Sequence, residues 1–260
     1  MPRTCWPCLA LLIWALASAC TAPSITGGLG VAQLSTSGNF GATDSGTVVT
    51  SSLDALGLAQ DQSAVLPRVF LRDGRRVLEL SGFQVDYDGQ GVVESTVTMG
   101  GTTIASGTAV DSRFGMGAYS GVVTWDVARF GSSILGLGFG VEWIDMDVGL
   151  EESVGSTSLA SSQRFPLPLI GVRLASSESP VSGTLNVGWI SLSAPEATAT
   201  VLDLDARVDV RITETRGGTT VLGMVGYRNF DMSVSYDDGG SQIEGDFQIG
   251  GPYVGLRIRF

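Results

Sequence analysis

Residues 201–212 read VLDLDARVDVRI, a run in which aliphatic and charged residues alternate from Leu202 onward. A period of two belongs to a β-strand, whose successive side chains point to opposite faces. Leu202, Leu204, Ala206, Val208, Val210 and Ile212 therefore share one face, and Asp203, Asp205, Arg207, Asp209 and Arg211 share the other. In a sheet with one wet face, the aliphatic side covers a core and the charged side meets water. In a barrel that crosses a bilayer the arrangement inverts, with aliphatic residues against lipid and charges lining the interior. One strand does not choose between these; the rest of the chain does.

The chain of 260 residues carries 36 glycines, a net charge of −11 and no histidine, and all 15 of its basic residues are arginine. An acidic balance argues against a nucleic-acid partner, because phosphate binding needs clustered basic residues. Mean hydropathy is positive, yet no long apolar run follows the N-terminus. That combination suits alternating lipid-facing strands rather than helical spans. Without histidine a Ser–His or Asp–His hydrolytic centre has no base. Without lysine there is neither a Walker-type phosphate loop nor Schiff-base chemistry. Carboxylate chemistry alone survives, so no catalytic residue is assigned, no cofactor is expected, and the chain is expected not to be an enzyme.

Residues 1–19 begin with Arg3, pass through an apolar run and end in small residues, the pattern of a cleaved signal peptide. Two readings of the cleavage site stand. Ala17-Ser18-Ala19 fits an A-x-A site, while Leu16-Ala17-Ser18-Ala19-Cys20 resembles a bacterial lipobox in which Cys20 would be lipidated, although Ala17 stands where a lipobox usually has Leu. Cys5 and Cys8 leave with the signal, so the mature chain has one cysteine, which provides neither a disulfide nor a zinc cluster. Residues 20–46, rich in Ser, Thr and Gly, read as a flexible periplasmic leader, and 47–260 as the folded domain.

Within that domain, strand patterns follow one another near 47–54, 64–72, 75–87, 108–127, 132–148, 164–175, 181–192, 199–213, 218–236 and 244–260. Tight turns such as Asp73-Gly74-Arg75 and Arg129-Phe130-Gly131 alternate with longer segments at 55–63, 88–107, 149–163, 193–198 and 237–243. Short turns on one side and long loops on the other predict an all-β fold, a transmembrane antiparallel up-and-down β-barrel of about ten strands, with eight as the alternative.

The last segment, IGGPYVGLRIRF, places Val254, Leu256, Ile258 and Phe260 on one face. A final strand of this kind resembles the C-terminal assembly signal of Gram-negative bacterial outer-membrane β-barrel proteins of the small class. The wider resemblance covers about residues 47–260. It implies residence in the bacterial outer membrane as a monomer, with outer-membrane lipid, lipopolysaccharide and the barrel assembly machinery as partners. It also implies a non-enzymatic role as a surface-exposed anchor with acidic loops, serving envelope integrity or adhesion. The alternative is a narrow pore for ions or small solutes.

GFQVDY (82–87), WIDMDV (143–148), WISLSA (189–194) and NFDMSV (229–234) align as an internal repeat in which the alternation changes phase. A β-bulge or local twist at the outer membrane boundary would produce that change, and Phe83, Trp143, Trp189 and Phe230 would form an aromatic girdle. Lumen phase assigned strand by strand gives Arg68, Arg72, Glu79, Glu142, Arg173, Asp203, Asp205, Arg207, Asp209, Arg211, Arg228, Arg257 and Arg259. Barrels this narrow fill with side chains, so these charges are expected to pair into a salt-bridged plug. Asp86, Asp88 and Gln90 partly match the start of a calcium loop, but Val97 stands where the terminal glutamate would be, so no metal site is assigned.

Overall fold

The computed structural model describes residues 23–44, 50–99, 102–178, 180–194, 197–237 and 241–260; the expected signal peptide and Cys20 lie outside them. In chain order the strands are β1 (Ser24–Asp44), β2 (Thr50–Ser52), β3 (Asp61–Asp73), β4 (Arg76–Val92), β5 (Val97–Met99), β6 (Thr102–Ile104), β7 (Ala109–Phe130), β8 (Ser133–Glu152), β9 (Ser158–Glu178), β10 (Val181–Ala194), β11 (Ala197–Glu214), β12 (Thr220–Asp237) and β13 (Ser241–Arg259). The long strands pair antiparallel with their chain neighbours, and β13 pairs with β1, so ten strands close into a ring. Closure leaves no long edge strand unpaired.

The leader expectation is corrected here. Residues 24–44 form β1, which pairs with β13 from Thr26↔Arg259 to Asp44↔Ser241 and with β3 from Ser24↔Arg72 to Ser35↔Asp61. Glycine and serine hid the strand, yet its alternation is present: Ile25, Leu29 and Val31 point out, while Ala32, Leu34 and Phe40 are buried inside. Of the expected first strand at 47–54, residues 47–49 lie outside the described ones, 50–52 form β2, which adds to the outer end of β1 beyond the reach of β3, and 53–54 begin a turn.

Strands also run further than expected on the loop side. Only residues 153–157 separate β8 from β9, and only 195–196 separate β10 from β11. On the opposite side the turns are tight, with Gly74 (φ 55°) and Gly131 (φ 58°) supplying left-handed backbone. Both described termini, Pro23 and Phe260, lie on this turn side.

On the outside, an apolar belt covers the half of the barrel nearest the turns. On β8 it runs through Leu135, Leu137, Phe139, Val141 and Trp143. At about 3.3 Å per residue and a tilt near 40°, residues 135–143 cover about 23 Å along the axis, the height of an outer-membrane hydrophobic band. The belt continues around the ring in Val69 of β3, Leu204 and Val208 of β11, Val254, Leu256 and Ile258 of β13, and Phe260 just after it. The charged face of VLDLDARVDVRI lies inside the ring, where Asp205, Arg207 and Asp209 are buried.

Above the belt the chemistry inverts while the strand does not. On β8, Asp145, Asp147 and Glu151 continue the outward row of Trp143, and Ile144, Met146, Val148 and Leu150 continue the inward row of Glu142. The ladder of β8 with β9 is unbroken from Ser133↔Ser176 to Glu151↔Ser158. A bulge at this boundary is therefore ruled out. The alternation changes phase because the surroundings change: lipid outside and charge inside below the boundary, water outside and an apolar core above it.

Candidate functional site

The interior is layered, and each layer is set by which residues the strands turn inward. The outermost layer is a cap. Leu53, Leu56 and Leu58, in the segment after β2, and Val93, Val97 and Ile104, around the β5–β6 hairpin, are all buried. These segments, parts of the stretches expected as long loops, fold back into the barrel mouth. Gly91 of β4 receives one of them: a Cβ there would lie 2.1 Å from the carbonyl oxygen of Ala55, so only glycine admits that backbone. Val92 N–H donates to that same oxygen (2.9 Å), and Ser112 Oγ donates to the Leu56 carbonyl. Glu94 Oε2 ties the two capping segments together by accepting from the backbone N–H and the hydroxyl of Ser52 (3.0 and 3.2 Å).

Below the cap lies an apolar core built from inward-facing residues of the upper strands. Phe114 stacks on Phe247 (5.0 Å between centroids), and Phe83 meets Phe230 edge to face at 5.8 Å. Phe83 and Phe230, expected in the lipid-facing girdle, are thus interior residues, 1% and 0% exposed. They occupy the inward row of β4 and β12, and in strand terms they align with Ile144 rather than with Trp143. Trp143 and Trp189 do face outward at the top of the belt, and Tyr119 pairs directly with Trp143 in the ladder.

The third layer is ionic. Arg228 stacks over Phe83 (4.9 Å) and binds Asp203 through two hydrogen bonds, Nε to Oδ1 at 3.1 Å and Nη2 to Oδ2 at 2.8 Å. One level lower, Arg68 binds both carboxylate oxygens of Asp205 end-on, through Nη1 and Nη2. Tyr253 Oη also donates to Asp205 (3.1 Å), and its ring lies under the Arg68 guanidinium at 4.9 Å. Gly226 makes room for that ring, which would stand 2.5 Å from a Cβ. Glu79 accepts from Asn186 Nδ2 at 2.9 Å and lies within 3.8 Å of Arg68 and 3.7 Å of Arg207. Glu142 is fully buried near the top of this layer and neither of its carboxylate oxygens has a hydrogen-bond partner.

The lowest layer opens to the turn side. Asp209 is bonded by Arg257 and approached by Arg207 Nε at 3.5 Å, and both guanidinium groups lie over the ring of Phe70 (4.5 and 4.6 Å). Asp126 binds Arg72 on one side and Arg173 on the other. Arg259 stands at the rim. Arg211 is set apart from this network: it is exposed and pairs with Glu214 on its own strand at 2.9 Å.

Asp126, Arg129, Asn186 and Tyr253 were not among the residues anticipated for the lumen. A bulge between Asp126 and Ala128 explains one of them: it shifts phase so that Arg129 pairs with inward-facing Ile134 and turns to the interior, which strict alternation conceals. Asp126 lies at the end of an aromatic and aliphatic run, and the neutral Asn186 and Tyr253 give no charge signal.

Asp86, Asp88 and Gln90 are not in a loop; they point outward from β4 above the belt. Alternate residues of a strand stand roughly 7 Å apart, too far for these three side chains to converge on one ion as in a calcium loop. Asp88 instead pairs with Arg113 (2.9 Å), and Gln90 donates to Asp111 (2.8 Å). With Asp147 and Glu151 they line an open groove of about 1170 Å³ that runs across β4, β7, β8 and β9.

No protein-family model and no curated protein matches the sequence. Among solved structures, the chain is similar to the outer membrane protease OmpT of Escherichia coli (TM-score 0.54, 12% identity, 92% of this chain and 99% of that one). It also matches the toluene transporter TodX of P. putida (TM-score 0.30, 9% identity, 92% and 91%) and the β domain of the Bordetella autotransporter BrkA (TM-score 0.36, 11% identity, 92% and 99%). The fold is that of the Gram-negative bacterial outer-membrane β-barrels, an up-and-down antiparallel ring with short turns at one end and an outward apolar belt.

Proposed function

We propose that this chain is a closed, non-enzymatic barrel of the outer membrane that anchors and presents a rigid acidic wall above the bilayer, for envelope integrity or for contacts at the cell surface. One observation carries this reading: the interior is packed solid from the cap through the apolar core to the ionic layer. With the lumen occupied, the chemistry offered to the surroundings lies on the outside, in the upward continuations of β4, β7 and β8. The likeness to OmpT is one of fold; proteolysis is that protein's activity, and a chain without histidine has no imidazole for general base catalysis.

A second reading, a narrow pore, draws on the charged lining of the lower half. The Phe83–Phe230 pair and the cap stand against it, because an apolar constriction of this depth excludes water and ions. Planar-bilayer recording from folded protein tests the two. Silence is the expected result; steady conductance steps that change on substitution of Asp205 or Arg207 would replace the anchor with the pore. In cells, loss of the protein should raise sensitivity to detergents or weaken surface adhesion, and a variant carrying Asp86, Asp88 and Asp147 as Asn should fail to restore the wild-type behaviour. Full restoration by that variant would remove the acidic wall from the proposal.

A further inference from the structure

We propose that the periplasmic mouth of the barrel is a binding site for a phosphate-type oxyanion. The mouth is a cavity of about 440 Å³ whose walls carry six arginines, Arg72, Arg129, Arg173, Arg207, Arg257 and Arg259. They come from five different strands, Arg257 and Arg259 both from β13, so no single local sequence run assembles them. Two carboxylates stand among them: Asp126 serves Arg72 and Arg173, and Asp209 serves Arg257 and Arg207. Arg129 and Arg259 have no ion-pair partner among the described residues. In a chain of net charge −11 this excess of positive charge, six arginines to two carboxylates, runs against the overall balance, and a concave site with an excess of one sign focuses its field on the counter-ion.

The second observation is unspent donor capacity. The Arg207 side chain is 97% buried in the cavity wall; its Nε and Nη1 stand at ion-pair distance, 3.5–3.7 Å, from Asp209, Glu79 and Asp205 without a hydrogen bond, and Nε of Arg257 has no hydrogen-bond partner either. Buried donors left without acceptors are costly, and guanidinium forks are shaped for tetrahedral oxyanions and carboxylates. Stacking on Phe70 fixes both forks before any ligand arrives. The bulge at Val127 adds Arg129, whose only evident consequence is one more cation in this mouth. The size of the cavity and its opening to the periplasm admit a phosphate group, either free in solution or borne by a lipid headgroup of the inner leaflet.

The test uses the full barrel folded in a phosphate-free alkyl glucoside detergent, titrated with inorganic phosphate at constant ionic strength against chloride and read by calorimetry. Saturable binding is expected, weakened at least tenfold in the double variant Arg129→Gln/Arg259→Gln. Both residues lie outside the ion pairs, so the unfolding midpoint of that variant should be unchanged. Arg113→Gln, on the outer wall, should bind as the wild type does. Absence of saturable binding in the wild type, or undiminished binding in the double variant, overturns the proposal. Repeating the titration in vesicles of phosphatidylglycerol and in vesicles of an uncharged glycolipid separates the sources. Loss of phosphate binding in the first alone assigns the site to a headgroup, and equal binding in both assigns it to the soluble anion.

Discussion

Arg68 of β3 and Asp205 of β11 meet inside the barrel through two hydrogen bonds, joining strands whose partner residues are 137 positions apart in sequence. Three other strands separate β3 from β11 by the shorter path around the ring, so the pair spans the lumen instead of following a ladder. Tyr253 and Glu79 complete its surroundings from two further walls. The pair thus fixes the cross-section of the barrel at the level of the bilayer.

Removing one partner leaves the other charge buried without compensation. Asp205→Ala or Arg68→Ala is expected to lower stability by about 3–5 kcal/mol, read as a shift of the urea unfolding midpoint in lipid vesicles. Neutralising Asp203, Asp205 and Asp209 together should lower it further. An unchanged midpoint would mean that the ionic layer contributes nothing to closure.

The inversion of chemistry above the belt predicts opposite tolerances at neighbouring positions. Leu204→Arg faces lipid and should cost about 2–4 kcal/mol, whereas Asp147→Leu, outward but above the belt, should cost little. Inside the upper core, Val148→Asp should destabilise strongly, because it buries a carboxylate among apolar side chains. The same unfolding assay ranks the three, and a tolerated Val148→Asp would contradict an apolar upper lumen.

β1 closes the ring, so deleting residues 24–44 should abolish the folded barrel. Heat-modifiable gel mobility and β-type circular dichroism in detergent report the outcome. A deletion variant that still folds would return this segment to the role of a leader.

The cap is held by three leucines in a short segment. Leu56→Ala is expected to cost about 2–5 kcal/mol and to raise the proteolytic sensitivity of residues 53–60 without opening a conducting path, because the core beneath it remains. Cleavage indistinguishable from wild type would show that the segment does not depend on this anchor.

Phe260 points outward beside Ile258 and is 69% exposed. It makes little contribution to packing, so its removal should leave the stability of folded protein close to wild type while slowing insertion by the assembly machinery. Normal insertion kinetics without Phe260 would refute the terminal strand as an assembly signal.

Local pattern determined what depends on a period of two. VLDLDARVDVRI, IGGPYVGLRIRF and the β8 run from Leu135 carry a lipid-facing row that is legible without any partner strand, because a bilayer is a uniform solvent and imposes one rule on every outward residue above the turns. The short turns were legible for the same reason, whereas the count of ten agreed only because 47–54 was counted in place of the ring strand Ser24–Asp44. Tertiary structure decided the rest. Ser24–Asp44 became a strand because β13 and β3 offered two free edges to pair with, and a segment rich in Gly and Ser has no local signal for that. Phe83 and Phe230 turned inward because the barrel outgrows the bilayer and must fill its upper lumen with apolar side chains, so the environment reversed while the register held. The cap and the arginine mouth each gather residues from strands far apart in the chain, and a periodicity confined to one strand carries no record of what faces it across the lumen.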